Sequence, residues 1–288
     1  MSISAKDVQA IREETGLGVM DIRNALEEAG GDNEKAAELL RKKGILKTAK
    51  RADKVAADGK VVAVVNSDQK SGAIAEVNSE TDFVAKSDDF IKFAKDVADA
   101  VLTDNPADLQ ALEKSKLPSG KTVAETVGEL TLKIGEKIGV RRFARYSTDG
   151  VVAMYLHGSK IGVLVELTGN DHGLALEIAM HVAASNPKCL SRDQVDQDLV
   201  AKEKAIYAEQ LKGKPANIME NILKGKLEKF YGEICLLEQP FIKDEEKTVK
   251  QMLENGKCEI KRYVRFELGE GLTVEKKDFA AEVAEQLK

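Results

Sequence analysis

Residues 59–83 read GKVVAVVNSDQKSGAIAEVNSETDF, and residues 149–171 read DGVVAMYLHGSKIGVLVELTGND. Val61, Val62 and Ala63 match Val151, Val152 and Ala153, and Glu76 matches Glu166, all at an offset of 90 residues. Each stretch has an apolar run, a short turn containing Gly and a second apolar run, the pattern of a β-hairpin. Each then enters a segment of helical apolar spacing: Phe90, Ile91, Phe93, Ala94, Val97 and Ala98 in the first copy, Leu174, Leu176, Ile178, Ala179, Val182 and Ala183 in the second. Both segments close on Asn-Pro, at 105–106 and 186–187. The pair predicts an α+β fold with a duplicated core of two half-domains, each an antiparallel sheet backed by helices.

Upstream of the first copy, three short amphipathic stretches predict a small helical unit. Ser4 caps a first helix with Val8 and Ile11 inward, Asp21 starts a second, and Asp32 caps a third that ends at Gly44. The loop between the first two, residues 15–20, places Val19 and Met20 at a bend, where they either plug the small core or meet a partner. Residues 41–54, RKKGILKTAKRADK, form a basic linker, and because it carries few apolar anchors the core is expected to fold without residues 1–50. Residues 122–138 read as a helix, and RRFARYS at 141–147 leads into the second copy.

After Pro187 two charged amphipathic helices, joined at 213–215, predict an antiparallel hairpin arm. Its stripes are Val195, Leu199, Ile206 and Leu211 against Ile218, Ile222, Leu227 and Phe230. CLLEQPF is extended, residues 247–256 form a short helix, and Ile260, Tyr263, Val264 and Phe266 lie on a strand of the second sheet. Phe279, Val283 and Leu287 mark a short terminal helix. The expected domains are 1–50, 51–145, 146–187 with 232–266, the arm at 188–231, and a C-terminal module at 267–288.

Of the 288 residues, 43% are apolar and 32% charged, which suits a globular chain. Lys and Arg number 44 against 49 Asp and Glu, so a net charge of -5 gives no general attraction to DNA or RNA. The basic linker has no interleaved aromatic residue, which argues against an RNA contact, although an RNA-binding translation or ribosome-associated factor stands as the alternative class. No apolar leader and no run of membrane-spanning length occurs, so a cytoplasmic protein without membrane contact is expected. Cys189, Cys235 and Cys258 form no CxxC pair, and His157, His172 and His181 form no local ligand pair. Phosphate-binding glycine loops and hydrolase motifs are absent too, so no cofactor, no resident metal and no enzyme chemistry are expected.

One segment departs from the duplication. Residues 78–90, NSETDFVAKSDDF, connect the second strand of the first copy to its helix, in a loop expected to expose Thr81, Asp82, Phe83 and Val84. The second copy has Asp171, His172 and Gly173 there, with no large apolar group. A ring needed by the repeated core would have an apolar counterpart, so the asymmetry favours Phe83 aimed outward, where a ring and a carboxylate suit intrusion into a partner's pocket. Glu80 and Asp82 alone are too few oxygen ligands for a hard cation.

Residues 11–21, IREETGLGVMD, and residues 76–86, EVNSETDFVAK, are similar to the two characteristic motifs of the bacterial elongation factor Ts family, and the likeness extends over nearly the whole chain. Here Val19-Met20 stands where members often have Met-Met, and Ile22-Arg23-Asn24 follows Asp21. The resemblance implies a guanine nucleotide exchange factor acting on elongation factor Tu. In it a three-helix unit like a ubiquitin-associated domain, with Arg12, Val19 and Met20, anchors the partner. Thr81, Asp82, Phe83 and Val84 would disturb the partner's Mg2+ and phosphate site, so that GDP leaves and GTP rebinds. It also implies a secondary contact at His157 and admits self-association through the arm.

Overall fold

The computed structural model describes residues 3–51, 53–211 and 216–273. The expected terminal helix around Phe279 and the arm's turn at 213–215 lie outside the described residues. The first elements are α1 (Ala5–Thr15), α2 (Val19–Glu28), α3 (Asn33–Lys50), β1 (Asp58–Val65), β2 (Ser71–Ser79), α4 (Asp82–Ala85), α5 (Asp88–Asp104), α6 (Leu109–Lys114), α7 (Val123–Ile134) and β3 (Ile138–Ser147). There follow β4 (Val151–His157), β5 (Ile161–Leu167), α8 (His172–Ser185), α9 (Gln197–Gln210), α10 (Ala216–Ile234), β6 (Pro240–Phe241), β7 (Asp244–Thr248), α11 (Val249–Asn255) and β8 (Ile260–Glu267). Contacts divide the chain into two units: one holds the chain up to Val62, Ala75–Phe143 and the stretch from Glu267, the other Ala63–Ile74 and Ala144–Phe266.

At the N-terminus of the first unit, Ser4 caps α1 by accepting from the Asp7 N–H, and Gly16, at φ 65°, ends it. The second helix starts at Val19 rather than Asp21, because Gly18 takes the extended N-cap conformation and turns the chain into the helix at once. The core plug of this bundle is Leu17, packed with Ile11, Ile22, Ala25, Leu26, Ala36 and Leu40. Val19 and Met20 stay exposed in the first turn of α2.

Gly44 does not end the third helix. It sits inside α3, where an added Cβ would lie 2.7 Å from the Gly128 carbonyl oxygen of α7. The glycine is there for close approach of two helices, and α3 therefore continues as a packed element to Lys50. Lys47 Nζ donates to the Leu132 carbonyl and Arg41 pairs with Glu125 of the same helix. Residues 41–50 are thus fastened to α7, which removes the ground for expecting a core indifferent to loss of residues 1–50. Gly44→Ala is expected to lower stability although alanine is the better helix former by about 1 kcal/mol, since overpacking costs about 1–3 kcal/mol. A raised urea midpoint for this variant would show that the helices part freely.

The first sheet has the order β1-β2-β3 and the second β4-β5-β8. The segment expected to lead into the second copy is therefore the third strand of the first sheet. Each hairpin donates its second strand to the centre, and a third strand arrives beside it after a long excursion. Successive residues of β2 and β5 are buried on both faces, and both strands read as near-continuous apolar runs. In the second hairpin Val151 faces Leu167 and His157 faces Ile161, in antiparallel register.

The offset pair Glu76 and Glu166 gives each sheet a buried carboxylate on its central strand. Glu76 accepts from Arg141 Nη1 at 3.0 Å, Arg142 Nε at 2.6 Å, the Gly269 N–H at 2.9 Å and Asn78 Nδ2 at 3.2 Å. Glu166 accepts from Arg262 Nε at 2.6 Å and lies 3.5 Å from Lys261 Nζ. Burial alone would raise both pKa values, but these hydrogen bonds outweigh it and hold both carboxyls below their ordinary value. In each sheet the basic partners come from the third strand.

In the second unit α8 lies on β4 and β5, with Leu174, Ala175, Ile178, Ala179 and Val182 inward. His181 is buried; its Nδ1 accepts from the Ile242 N–H at 3.3 Å, which leaves the proton on Nε2, 2.9 Å from Gln239 Oε1. Burial lowers its pKa, so it is a neutral packed imidazole. The hairpin arm exists as α9 and α10, but its expected stripe is only half right. Val195, Leu211 and Phe230 are buried, Val200 replaces Leu199 inward, and Leu199 and Ile206 are exposed. The expected extended segment at 235–241 is a 3₁₀ turn, Leu236–Glu238, followed by β6, which pairs with β7.

Candidate functional site

The segment after β2 is a single helical turn held from below. Thr81 Oγ1 accepts from the Val84 N–H at 3.4 Å and caps α4, while the Thr81 N–H and hydroxyl both donate to the Glu136 carboxylate, at 3.1 and 2.9 Å. Glu80 Oε1 accepts from the Lys137 N–H at 2.6 Å and also pairs with Arg51. Ser87 caps α5 and its hydroxyl donates to the Val84 carbonyl at 2.8 Å. Val84 and Ala85 are buried, so Val84 is a fastener and not the exposed side chain expected; α4 turns its back to the core at that position. Thr81 is half-buried and Glu80 is tied, which leaves Asp82 and Phe83 as the pair presented to solvent.

Phe83 is 81% exposed. Leaving a phenylalanine in water forfeits about 1.5–3 kcal/mol relative to burying it, and here it sits on a turn whose other members are fixed. Asp82 Oδ2 accepts from Lys86 Nζ at 2.6 Å, and that hydrogen bond holds its pKa below the ordinary value, so it is a carboxylate at neutral pH. In the second unit the same connection, between β5 and α8, spans only residues 168–171, against 80–87 in the first. Asp171 there caps α8 directly. The exposed Asp-Phe turn is thus an insertion into one copy of the repeat.

The same unit presents a second exposed surface. Ile3, Val8, Arg12, Val19, Arg23 and Glu27 line an open groove of about 990 Å³ across α1 and α2. Val19 is 43% and Met20 63% exposed, which decides the open choice between core plug and surface in favour of surface. Both surfaces rest on α7 and its exit. The helix expected to reach residue 138 stops at Ile134, because Gly135 takes φ 86° and turns Glu136 and Lys137 toward Thr81 and Glu80. Lys133 pairs with Asp89 at the start of α5, and its Nζ lies 2.8 Å from where a Cβ on Gly16 would be. Nothing in the sequence marks Glu136 and Lys133 except Gly135 between them, whose positive φ stops the helix.

His157 lies in the second unit, exposed at the end of β4, with Nδ1 3.3 Å from the Tyr155 hydroxyl. The basic run is largely matched by carboxylates or carbonyls: Arg41 with Glu125, Lys42 with Glu38, Lys43 with Glu28, Lys47 with the Leu132 carbonyl, Arg51 with Glu80. Among the described residues no group of three or more His, Cys, Asp or Glu converges as a metal site, and no helix is long and apolar enough to cross a membrane.

Comparison with known proteins places this arrangement in a family. The profile described as "Elongation factor TS" matches residues 80–270. The chain is 48% identical to "Elongation factor Ts" of Methylococcus capsulatus over 291 aligned positions, covering 100% of this chain and 99% of that protein. It is 48% identical to "Elongation factor Ts" of Alkalilimnicola ehrlichii and 47% identical to that of Halorhodospira halophila, each with 100% of this chain and 99% of the relative covered.

Proposed function

This chain belongs to the elongation factor Ts family, and on that premise we propose that it is a guanine nucleotide exchange factor of elongation factor Tu, working in the cytoplasm during translation elongation. The observation that carries the reading is the exposed Asp82-Phe83 pair on a turn pre-fixed by Glu136, Lys137 and Ser87. A protein of this family performs no covalent step, so its action is differential binding: whatever it stabilises in the partner must be the state that holds GDP poorly. The Asp82-Phe83 turn enters beside the partner's Mg2+ and phosphate site, Phe83 supplying apolar area and Asp82 a fixed negative charge. Displacing the cation removes charge neutralisation from the diphosphate and GDP leaves faster. By linkage, GDP and this chain weaken each other on the partner to the same degree, and GTP binding then completes the cycle.

The three-helix unit, read as ubiquitin-associated-like, anchors the partner through Arg12, Val19 and Met20, and His157 supplies a secondary contact from the second unit. Self-association, where it occurs, uses the exposed Leu199 and Ile206 of the arm. The paired basic run gives the RNA-binding alternative no supporting observation. The test is release of labelled GDP from purified elongation factor Tu on adding this chain: acceleration supports the reading, and an unchanged rate at excess chain overturns it. Within that assay Met20→Asp is expected to raise the concentration for half-maximal release about tenfold, a loss near 1.4 kcal/mol, with little change at saturation. An unchanged concentration dependence would remove the anchor role.

A further inference from the structure

Three cysteines far apart in sequence form no local thiol pair, yet the fold of the second unit brings two of them together. Cys189 lies just after α8 and Cys235 just after α10, and the two are partners in an isolated parallel bridge. The backbone around them is fixed on both sides. Cys189 N–H donates to the Ile234 carbonyl at 3.3 Å, Leu236 N–H to the Cys189 carbonyl at 2.9 Å, and Leu237 N–H to the Leu190 carbonyl at 3.1 Å. The two Sγ atoms are 3.6 Å apart. Bridge neighbours stand about 4.7–4.9 Å apart, inside the window of about 4.4–6.8 Å between Cα atoms that a disulfide accepts. Bringing the sulfurs to bonding distance therefore asks for side-chain rotation and not for backbone movement.

The geometry points to a modification site: under a peroxide, Cys189 and Cys235 form an intramolecular disulfide that closes the base of the α9–α10 arm. The two sulfurs are differently placed for the two steps. Cys189 is half-exposed and meets the oxidant first, whereas Cys235 is buried beside Val195, Val200 and Phe230. Burial, with the adjacent thiol, also pushes the Cys235 thiol up to about 12, which makes it the less reactive of the two toward peroxide. In the first step the Cys189 sulfur attacks one peroxide oxygen, the O–O bond breaks, and a sulfenic acid and one water result. In the second the Cys235 sulfur attacks that of Cys189, the S–O bond breaks, and the oxygen leaves as a second water with the Cys235 proton. Two thiols are oxidised and one peroxide is reduced to two waters; a dithiol reductant reverses the bond. Cys258, buried with its Sγ 3.9 Å from the Leu253 carbonyl, takes no part.

The closed loop contains the whole arm, since the partners are 46 residues apart, so the bond restrains the arm's unfolded state. The test uses the purified full chain, reduced, treated with stoichiometric hydrogen peroxide, then denatured and alkylated with iodoacetamide for mass spectrometry. The expected product is a monomer lighter by about 2 Da before alkylation, with a cross-linked peptide joining Cys189 to Cys235 and Cys258 alkylated, reversed by dithiothreitol. Cys235→Ser is expected to divert Cys189 to sulfinic and sulfonic acids. If that variant fails to fold, the wild-type time course still decides, because Cys189 and Cys235 must lose alkylation in parallel. Over-oxidation of Cys189 with Cys235 still alkylable, or a disulfide between two chains, would overturn the proposal.

Discussion

Glu76→Gln is expected to destabilise the first unit by about 3–5 kcal/mol, the range for removing one charge from a buried, hydrogen-bonded ion pair. The magnitude follows from what is left behind. Arg141 and Arg142, both more than two-thirds buried, lose their common carboxylate, and the Gly269 N–H loses a charged acceptor. Arg142 also reaches the Glu267 carbonyl and Glu270, so the substitution loosens the chain that follows β8 as well as the centre of the sheet. Glu166→Gln in the second sheet should cost less, because Arg262 is about half exposed and water takes over part of its pairing. The sign of the pH dependence is fixed by the same geometry. The folded-state pKa of Glu76 lies below its ordinary value of 4.5, so its contribution is complete above that value and is lost as pH falls through the folded one. Urea melts at neutral pH and on acidification check both statements: equal midpoints for Glu76→Gln and wild type at neutral pH would mean that the pair contributes nothing.

The duplicated core was legible because its signals are local. A hairpin, a helix and an Asn-Pro stop each occupy a short window, and Asn105 and Asn186 do take the left-handed conformation at the two helix ends. The outward aim of Phe83 was legible for another reason: the second copy acts as an internal control, and the ring has no counterpart there. The fold withheld what depends on partners distant in sequence. Thr81 meets Glu136 across 55 residues and Cys189 meets Cys235 across 46, and no periodicity reports such pairs. Glycines misled where one residue type serves two purposes. Gly44 reads in the sequence as a helix stop and is a contact point between helices, whereas Gly135, inside an expected helix, is a true stop at positive φ. The sequence around Val84 has the character of an open loop and so implies exposure; a helical turn of Asp82–Ala85 sends adjacent side chains in different directions, and Phe83 and Val84 part company there.

Phe83→Ala is expected to leave stability within about 0.5 kcal/mol of wild type, far from the roughly 3–5 kcal/mol cost of emptying a core phenylalanine site, because its ring is 81% exposed and no cavity is made. Val84→Ala, on the buried side of the same turn, is the control that should destabilise. At saturating concentration Phe83→Ala should slow GDP release from elongation factor Tu about tenfold or more, the size expected when an interface anchor worth about 1.4 kcal/mol or more per decade is removed. On the proposed mechanism the loss falls in the saturated rate, because that mechanism assigns the ring to forcing the partner's phosphate site apart and first contact to the helical unit. Asp82→Ala should also slow release, and its deficit should shrink when a chelator has already removed Mg2+, since the step proposed for the carboxylate is then complete. Asp82 remains ionised through the neutral range, so neither deficit should depend on pH between neutral and mildly acidic conditions. Stopped-flow release of fluorescent GDP, with and without chelator, alongside denaturant melts, separates these effects. Normal saturated release by Phe83→Ala, or an Asp82→Ala deficit untouched by the chelator, would sink the intrusion mechanism and leave the turn as a docking contact alone.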